Sequence, residues 1–230
     1  ARQPPAGATA PSTARPASSG GSAANAQRPL GGQASPGGFV EIPGIRMGAA
    51  GYDLPPGMRL PPVIANTPRP VHLQEQSHSC VLACVRMVSD TVTRVPVEGS
   101  LLKQMVRGPT GYQPGVGTEG PAMADMLTMI GVSHNGWGRA SYATLASKVK
   151  NGYPAIVTYG SNHVAVVDAV LRHAGDEWVL LRNPANPAHW DAETARLFQA
   201  TGFGNYVAMT RREFMALFEA GGSQAVFTRP

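Results

Sequence analysis

Gln74-Glu75-Gln76-Ser77-His78-Ser79-Cys80-Val81-Leu82-Ala83-Cys84-Val85 decides the fold, because here a polar, glutamine-bearing loop runs into a cysteine that opens an apolar helix. Ser79 is placed to cap a helix from Cys80 to about Asp90, whose Val81, Leu82, Cys84, Val85 and Val88 recur at helical spacing. The first turn of a helix presents unpaired N–H groups and the positive end of the peptide dipole, so the anionic form of a cysteine there is favoured. A base must come from elsewhere. Downstream, Asn162-His163-Val164-Ala165-Val166-Val167-Asp168 sets a histidine at the mouth of an apolar strand, and Trp178-Val179-Leu180-Leu181-Arg182-Asn183-Pro184 ends a second strand on an asparagine. Strand parity puts His163, Ala165 and Val167 on one face and Val164, Val166 and Asp168 on the other, which makes Asp168 a poor partner for His163.

Around these segments the pattern is that of an α+β domain. A short helix is expected from Leu101 to Val106 and a loop over Gly108–Gly117. A second helix begins near Pro121, carries Met123, Met126, Leu127 and Ile130, and stops at Gly131. A third runs from Ser141 through Leu145 and Val149 to a Gly152 cap. The period then changes from helical to strand-like. Pro154–Tyr159, His163–Leu171 and Glu177–Leu181 read as an antiparallel meander, with the turn Arg172-His173-Ala174-Gly175-Asp176 between the last two. A helix from Arg211 or Arg212 to about Glu219 and the strand Ser223–Phe227 close the chain. Helices first and a sheet afterwards place the reactive groups on two halves facing each other across a cleft.

Composition excludes several functions. The formal net charge of +5 is uneven: six arginines face only Glu41 and Asp53 before residue 71, whereas 13 basic groups face 12 acidic ones after it. The folded part therefore lacks the clustered Lys and Arg of a nucleic-acid footprint. The two cysteines, one helical turn apart, suit neither a disulfide framework nor an unstrained bridge, and both read as free thiols, with Cys84 in the core. His78, Cys80 and Cys84 lack the Cys-x-x-Cys spacing of a structural zinc site, so no metal or other cofactor is expected. No apolar run reaches the roughly 20 residues of a membrane span, and no signal peptide is recognisable.

Residues 1–37 are almost wholly Ala, Gly, Pro, Ser, Thr, Gln and Arg, with Leu30 the one large aliphatic side chain, and cannot offset the entropy of ordering. Their Arg and Ser content also fits a transit peptide, without its amphipathic period. The start at Ala1 rather than Met is that of a processed product or a piece of a longer polypeptide, the tail then being a linker or secretion segment. Residues 38–70 scatter apolar side chains among Gly and Pro and read as a loose or packed arm. The division expected is a disordered tail or linker over 1–60 and a catalytic domain over 61–230.

Over residues 70–230 the sequence resembles the papain-like cysteine proteases, and more closely their small bacterial branch, which includes the double-glycine leader peptidases of bacteriocin exporters and secreted effector proteases of plant pathogens. Gln74 stands six residues before Cys80, His163 opens a strand, Asn183 ends the next, and the helix leading into Gly152-Tyr153-Pro154-Ala155-Ile156-Val157 and the late helix around Phe214 follow that plan. The resemblance implies a papain-like fold with the nucleophile helix packed on an antiparallel sheet. It also implies roles: Cys80 attacks a carbonyl as thiolate, His163 pairs with it and later protonates the leaving amine, and Asn183 orients the imidazole. Gln74 and the Cys80 backbone N–H bind the oxyanion. This chain departs from the branch with Val81 after the nucleophile and with Asn183-Pro184 in place of Asp-Pro; Asn186 and Asp191 are substitutes for Asn183. His72, His134, His173 and His189 read as surface or turn residues, and His78 is the rival base.

The function implied is hydrolysis of peptide bonds in a protein or peptide substrate by a secreted bacterial effector or toxin domain delivered into a target cell. Gly37-Gly38-Phe39 and Gly44–Gly51 are candidate self-processing sites. A papain-fold amidase, deamidase or acyltransferase would use the same thioester chemistry, and a catalytically silent peptide-binding module would keep the same fold.

Overall fold

The helix that opens at Cys80 is buried over most of its length. In the computed structural model, which describes residues 51–52, 54–106, 111–186 and 205–230, a short turn of helix α1 (Pro62–Ala65) precedes α2 (Cys80–Val92). Only Arg86, Asp90 and Val92 of α2 are not buried, because apolar residues occupy nearly its whole circumference. Then follow α3 (Gly99–Met105), α4 (Gly120–Met129), β1 (Gly138–Arg139), α5 (Tyr142–Val149), β2 (Ala155–Thr158), β3 (Val164–His173), β4 (Asp176–Arg182), β5 (Tyr206–Thr210), α6 (Arg211–Ala220) and β6 (Gln224–Phe227).

Most of the punctuation read from the sequence acts as expected, although the Ser79 side chain makes no capping bond at the start of α2. Gly131 and Gly152 take φ of +78° and +81° beyond the ends of α4 and α5, the left-handed conformation that glycine adopts without a steric penalty. Ser141 accepts the Thr144 N–H at the start of α5, and Thr210 and Glu213 form a reciprocal capping box at the start of α6. Ala174 and Gly175 both have positive φ, 51° and 90°, as a tight two-residue hairpin turn between β3 and β4 requires.

Among the described residues, six strands form one sheet in the order β1-β6-β2-β3-β4-β5, each neighbouring pair antiparallel. The expected meander is its centre, extended by β5, and the C-terminal strand returns beside β2. On one face Val164, Val166 and Val226 pack with Ile156 against α2, α3 and α4. On the other Ala165, Val167, Val179 and Leu181 pack under α5 and α6. The alternation breaks once, where the β3–β4 register shifts between Val167 and Ala169. The extra residue is Asp168, so this carboxylate and the following Ala169 both lie on the α2 side, where Ala169 and Leu180 pack with Tyr52 and Ile64.

Tyr52 and Met58 are buried, which corrects the boundary expected after residue 60: the arm over 54–70 is packed on the sheet. Tyr52 reaches Asp168 with its hydroxyl, and Gly51 lies so close under the ring of Tyr206 that a Cβ there would sit 2.5 Å from it. The rest of the expected tail, with the candidate processing sites before Gly51, lies outside the described residues. A chain beginning at residue 61 should unfold at lower urea concentration than one beginning at 51, and Tyr52→Phe alone should cost about 1–3 kcal/mol by leaving a buried carboxylate short of a donor. Equal midpoints for the two chains would show that the arm is no part of the domain.

Candidate active site

The N-terminus of α2 is not closed by its cap residue. The Ser79 hydroxyl donates to the Gln76 carbonyl and accepts the Gln76 N–H, both at 3.0 Å, and makes no bond to the first turn of α2. Ser79 thus tightens the preceding loop, and its hydroxyl leaves the first-turn N–H groups of the helix uncovered. Cys80, only 8% exposed, lies beneath this opening, and its sulfur is within hydrogen-bonding reach of the backbone N–H of Val164. The fold therefore carries the first residue of α2 to the residue that follows His163. Cys84, wholly buried one turn further on, donates its thiol to the Val164 carbonyl at 3.5 Å and belongs to the core, as expected.

His163 and Asn183 also meet as expected. The ring Nε2 lies 2.8 Å from Asn183 Oδ1, and the same oxygen accepts the Ala185 backbone N–H at 3.0 Å. A backbone N–H can only donate, so the atom facing both groups is the amide oxygen. The neutral imidazole must then carry its proton on Nε2, which leaves the basic lone pair on Nδ1. Asn183 is itself held by its backbone: its N–H donates to Asn205 O at 2.8 Å, and Asn205 Nδ2 donates to the carbonyls of Asn183 and Ala185 at 2.9 and 3.0 Å.

Gln74 is buried and tied to the same corner. Its N–H donates to Pro184 O at 2.8 Å and its carbonyl accepts from Asn186 Nδ2 at 3.4 Å, so Asn186 braces Gln74 rather than replacing Asn183. The side-chain amide donates to Ser77 O at 3.1 Å. That bond uses one of its two N–H groups.

The rivals are engaged elsewhere. His78 stacks on Tyr112 and its Nε2 accepts the Gly115 N–H at 2.9 Å, which binds it to the loop 111–117. His72 pairs with Asp90, His134 with Thr128 and His173 with the Pro56 carbonyl. His189 and Asp191 lie outside the described residues. Asp168, set aside by strand parity, accepts from Tyr52, Arg69 and Arg182 in the interior. The contributions of Arg69, Arg182, Ala185 and Asn205 were not anticipated. One available signal was the pairing of an aspartate and an arginine in neighbouring apolar strands, since a lone buried charge would be costly.

Exclusion of water shapes the electrostatics. Burial pushes the Cys80 thiol up, against the help of the Val164, Val81 and Cys80 backbone N–H groups. It pushes the His163 imidazole down, outweighing the Asn183 bond that favours the proton. Both directions favour the neutral form of each group in the substrate-free site. Desolvation thus opposes, at each group taken singly, the charge that the helix N-terminus favours on Cys80.

The sign of the pH dependence follows. His163 is a base only when unprotonated, and its lowered value keeps it so somewhat below the ordinary imidazole pKa of about 6.5. The rate of Cys80 alkylation should therefore fall on acidification through a group below that value, and rise further above the ordinary thiol value of about 8.5 as the thiol ionises outright. A rate that stays high down to pH 4 would instead indicate a preformed ion pair.

The sequence matches no family model and no curated protein at a significant level. Solved structures do match. The peptidase domain of Streptococcus ComA, a bifunctional ABC transporter involved in quorum sensing, superposes with a TM-score of 0.50 at 14% identity over 71% of this chain and 99% of that domain. A double glycine motif protease from an AMS/PCAT transporter, solved in complex with the leader peptide, gives 0.48 at 16% identity over 70% of this chain and 91% of that one. The fold is that of the ComA peptidase domain, with α2 packed on an antiparallel sheet.

Proposed function

We propose that this chain is a cysteine peptidase that hydrolyses peptide bonds of a protein substrate through Cys80, His163, Asn183 and Gln74. The observation that carries the reading is the Asn183 oxygen, fixed by the Ala185 N–H, which selects the tautomer of His163, while Cys80 at an uncapped helix N-terminus reaches the backbone of the next residue, Val164. His163 Nδ1 takes the thiol proton as sulfur attacks the scissile carbonyl, so that the proton leaves as the carbon–sulfur bond forms. The second Gln74 N–H and the Cys80 backbone N–H receive the oxyanion, and losing one such donor typically costs about 3–4 kcal/mol of transition-state stabilisation. The imidazolium then protonates the departing amine, and water, deprotonated by the same nitrogen, hydrolyses the thioester. The imidazolium forms only during the reaction, when the Asn183 oxygen compensates it through Nε2–H.

Delivery as a secreted effector or toxin domain is the second part of the proposal. Its support is the acid-poor sequence before residue 38, rich in Gly, Pro and Ser. One solved neighbour carries a leader peptide, so a peptide with a glycine pair is the natural first substrate, and Gly37-Gly38-Phe39 supplies one within this chain. The protein should cleave a peptide spanning that segment, lose all measurable activity as Cys80→Ser, and lose roughly 100-fold or more as His163→Ala. Thioester formation at Cys80 followed by transfer to an added amine, without hydrolysis, would identify an acyltransferase; no acylation of Cys80 by any peptide would identify a silent binding module.

A further inference from the structure

One guanidinium contacts every segment that supplies a catalytic group. Arg182 is completely buried. Its Nε and one terminal nitrogen donate to Asp168 Oδ2 and Oδ1 at 2.7 and 3.0 Å, a two-point pairing. Its other terminal nitrogen donates to Pro70 O at 2.7 Å and Met87 O at 3.2 Å. Asp168 is the bulge residue of β3, the strand that His163 precedes. Pro70 begins the short segment that leads to Gln74, Met87 lies two turns along α2 from Cys80, and Arg182 is bonded to Asn183 through the chain.

We propose that Arg182 is a positioning residue for the reaction: through Asp168, Pro70 and Met87 it holds the segments bearing His163, Gln74 and Cys80 in fixed relation to Asn183. The proposal rests on the cysteine-peptidase reading. Its physical basis is the planar fork of arginine, which satisfies a carboxylate and two carbonyls of separate segments at once. Lysine has a single nitrogen and cannot span them. Arg69 supports the same centre, donating to Asp168 and, at 2.8 Å, to the Gly152 carbonyl. Tyr206 holds the Arg69 carbonyl through its hydroxyl at 2.6 Å. A shift of about 1 Å between reacting groups, caused by a change remote from the chemistry, can cost on the order of 100-fold in rate.

A role in positioning is separable from a role in folding. Replacing a whole buried ion cluster by apolar residues is often neutral or stabilising, whereas removing one member is not. The triple variant Arg69→Met, Asp168→Leu, Arg182→Met should therefore stay folded while lacking the fork, and Arg182→Lys tests the fork with the charge retained. The readout is a double-mutant cycle on the full chain: the rate of Cys80 alkylation by iodoacetamide, located by mass spectrometry, with and without His163→Ala, in each background. In the wild type, His163→Ala should slow Cys80 by on the order of 100-fold, as loss of a general base does. In Arg182→Lys and in the triple variant, checked by thermal unfolding to be native, that ratio should collapse towards one. A folded triple variant that keeps the wild-type ratio overturns the proposal and leaves Arg182 a purely structural residue. A ratio of one in the wild type defeats the peptidase reading first, and the positioning role with it.

Discussion

Asp168 is a carboxylate sealed from water, and the shape of the sheet around it is what makes it tolerable. An unpaired charge at such a site would be neutralised or expelled. Here burial alone would push the carboxyl up, but Arg182 and Arg69 beside it hold it below the ordinary carboxylate range. Strand alternation already puts Asp168 on the α2 side, where these partners reach it, and the β-bulge brings the following Ala169 to the same side. The arrangement draws in the arm through Tyr52 and Arg69, α2 through the Met87 carbonyl, and the end of β4 through Arg182 itself. Buried ion pairs as a class add little net stability, yet removing one partner typically costs about 3–5 kcal/mol. The centre therefore specifies which segments lie together more than it stabilises the fold.

Burial also disfavours charge on Cys80, which is buried, and on His163, which is partly exposed. At Cys80 the helix N-terminus and neighbouring N–H groups oppose this without overcoming it. At His163 a neutral amide oxygen, not a carboxylate, supports the imidazolium. Asn183 supplies orientation and a tautomer at little electrostatic gain, whereas an aspartate there would favour the imidazolium in the resting site. The Asn-Pro pair is a departure from the small bacterial branch that the sequence resembles.

Much of this was legible before any coordinates. Helices α2, α4, α5 and α6 announce themselves by apolar period and by Ser, Pro and Gly punctuation, and β2, β3, β4 and β6 by apolar runs of strand length. The order Gln74, Cys80, His163, Asn183 was readable as a constellation, and the structure joins His163 to Asn183 and brings Cys80 to the neighbour of His163. What escaped was long-range. Strand β5 is five residues long with an alternation carried only by Val207 and Met209, and two-residue β1 has no period at all. The bulge at Asp168 is invisible in a run that alternates correctly on either side. Arg69 and Tyr52 sit in a Pro- and Gly-rich stretch whose composition reads as loose, and only their burial against the sheet shows otherwise. The opposing effect of burial on the Cys80 thiol escaped for a similar reason: the dipole of a helix is local, whereas desolvation depends on the whole fold.

The most direct test is the protonation of His163 itself, followed by nitrogen-15 and proton resonances of its ring through a pH titration. A neutral Nε2–H tautomer at pH 7, titrating below the ordinary imidazole value and losing its tautomeric preference in Asn183→Ala, is the result expected. An imidazolium at pH 7 that vanishes in Cys80→Ser, or a proton on Nδ1, would contradict a neutral dyad oriented by Asn183.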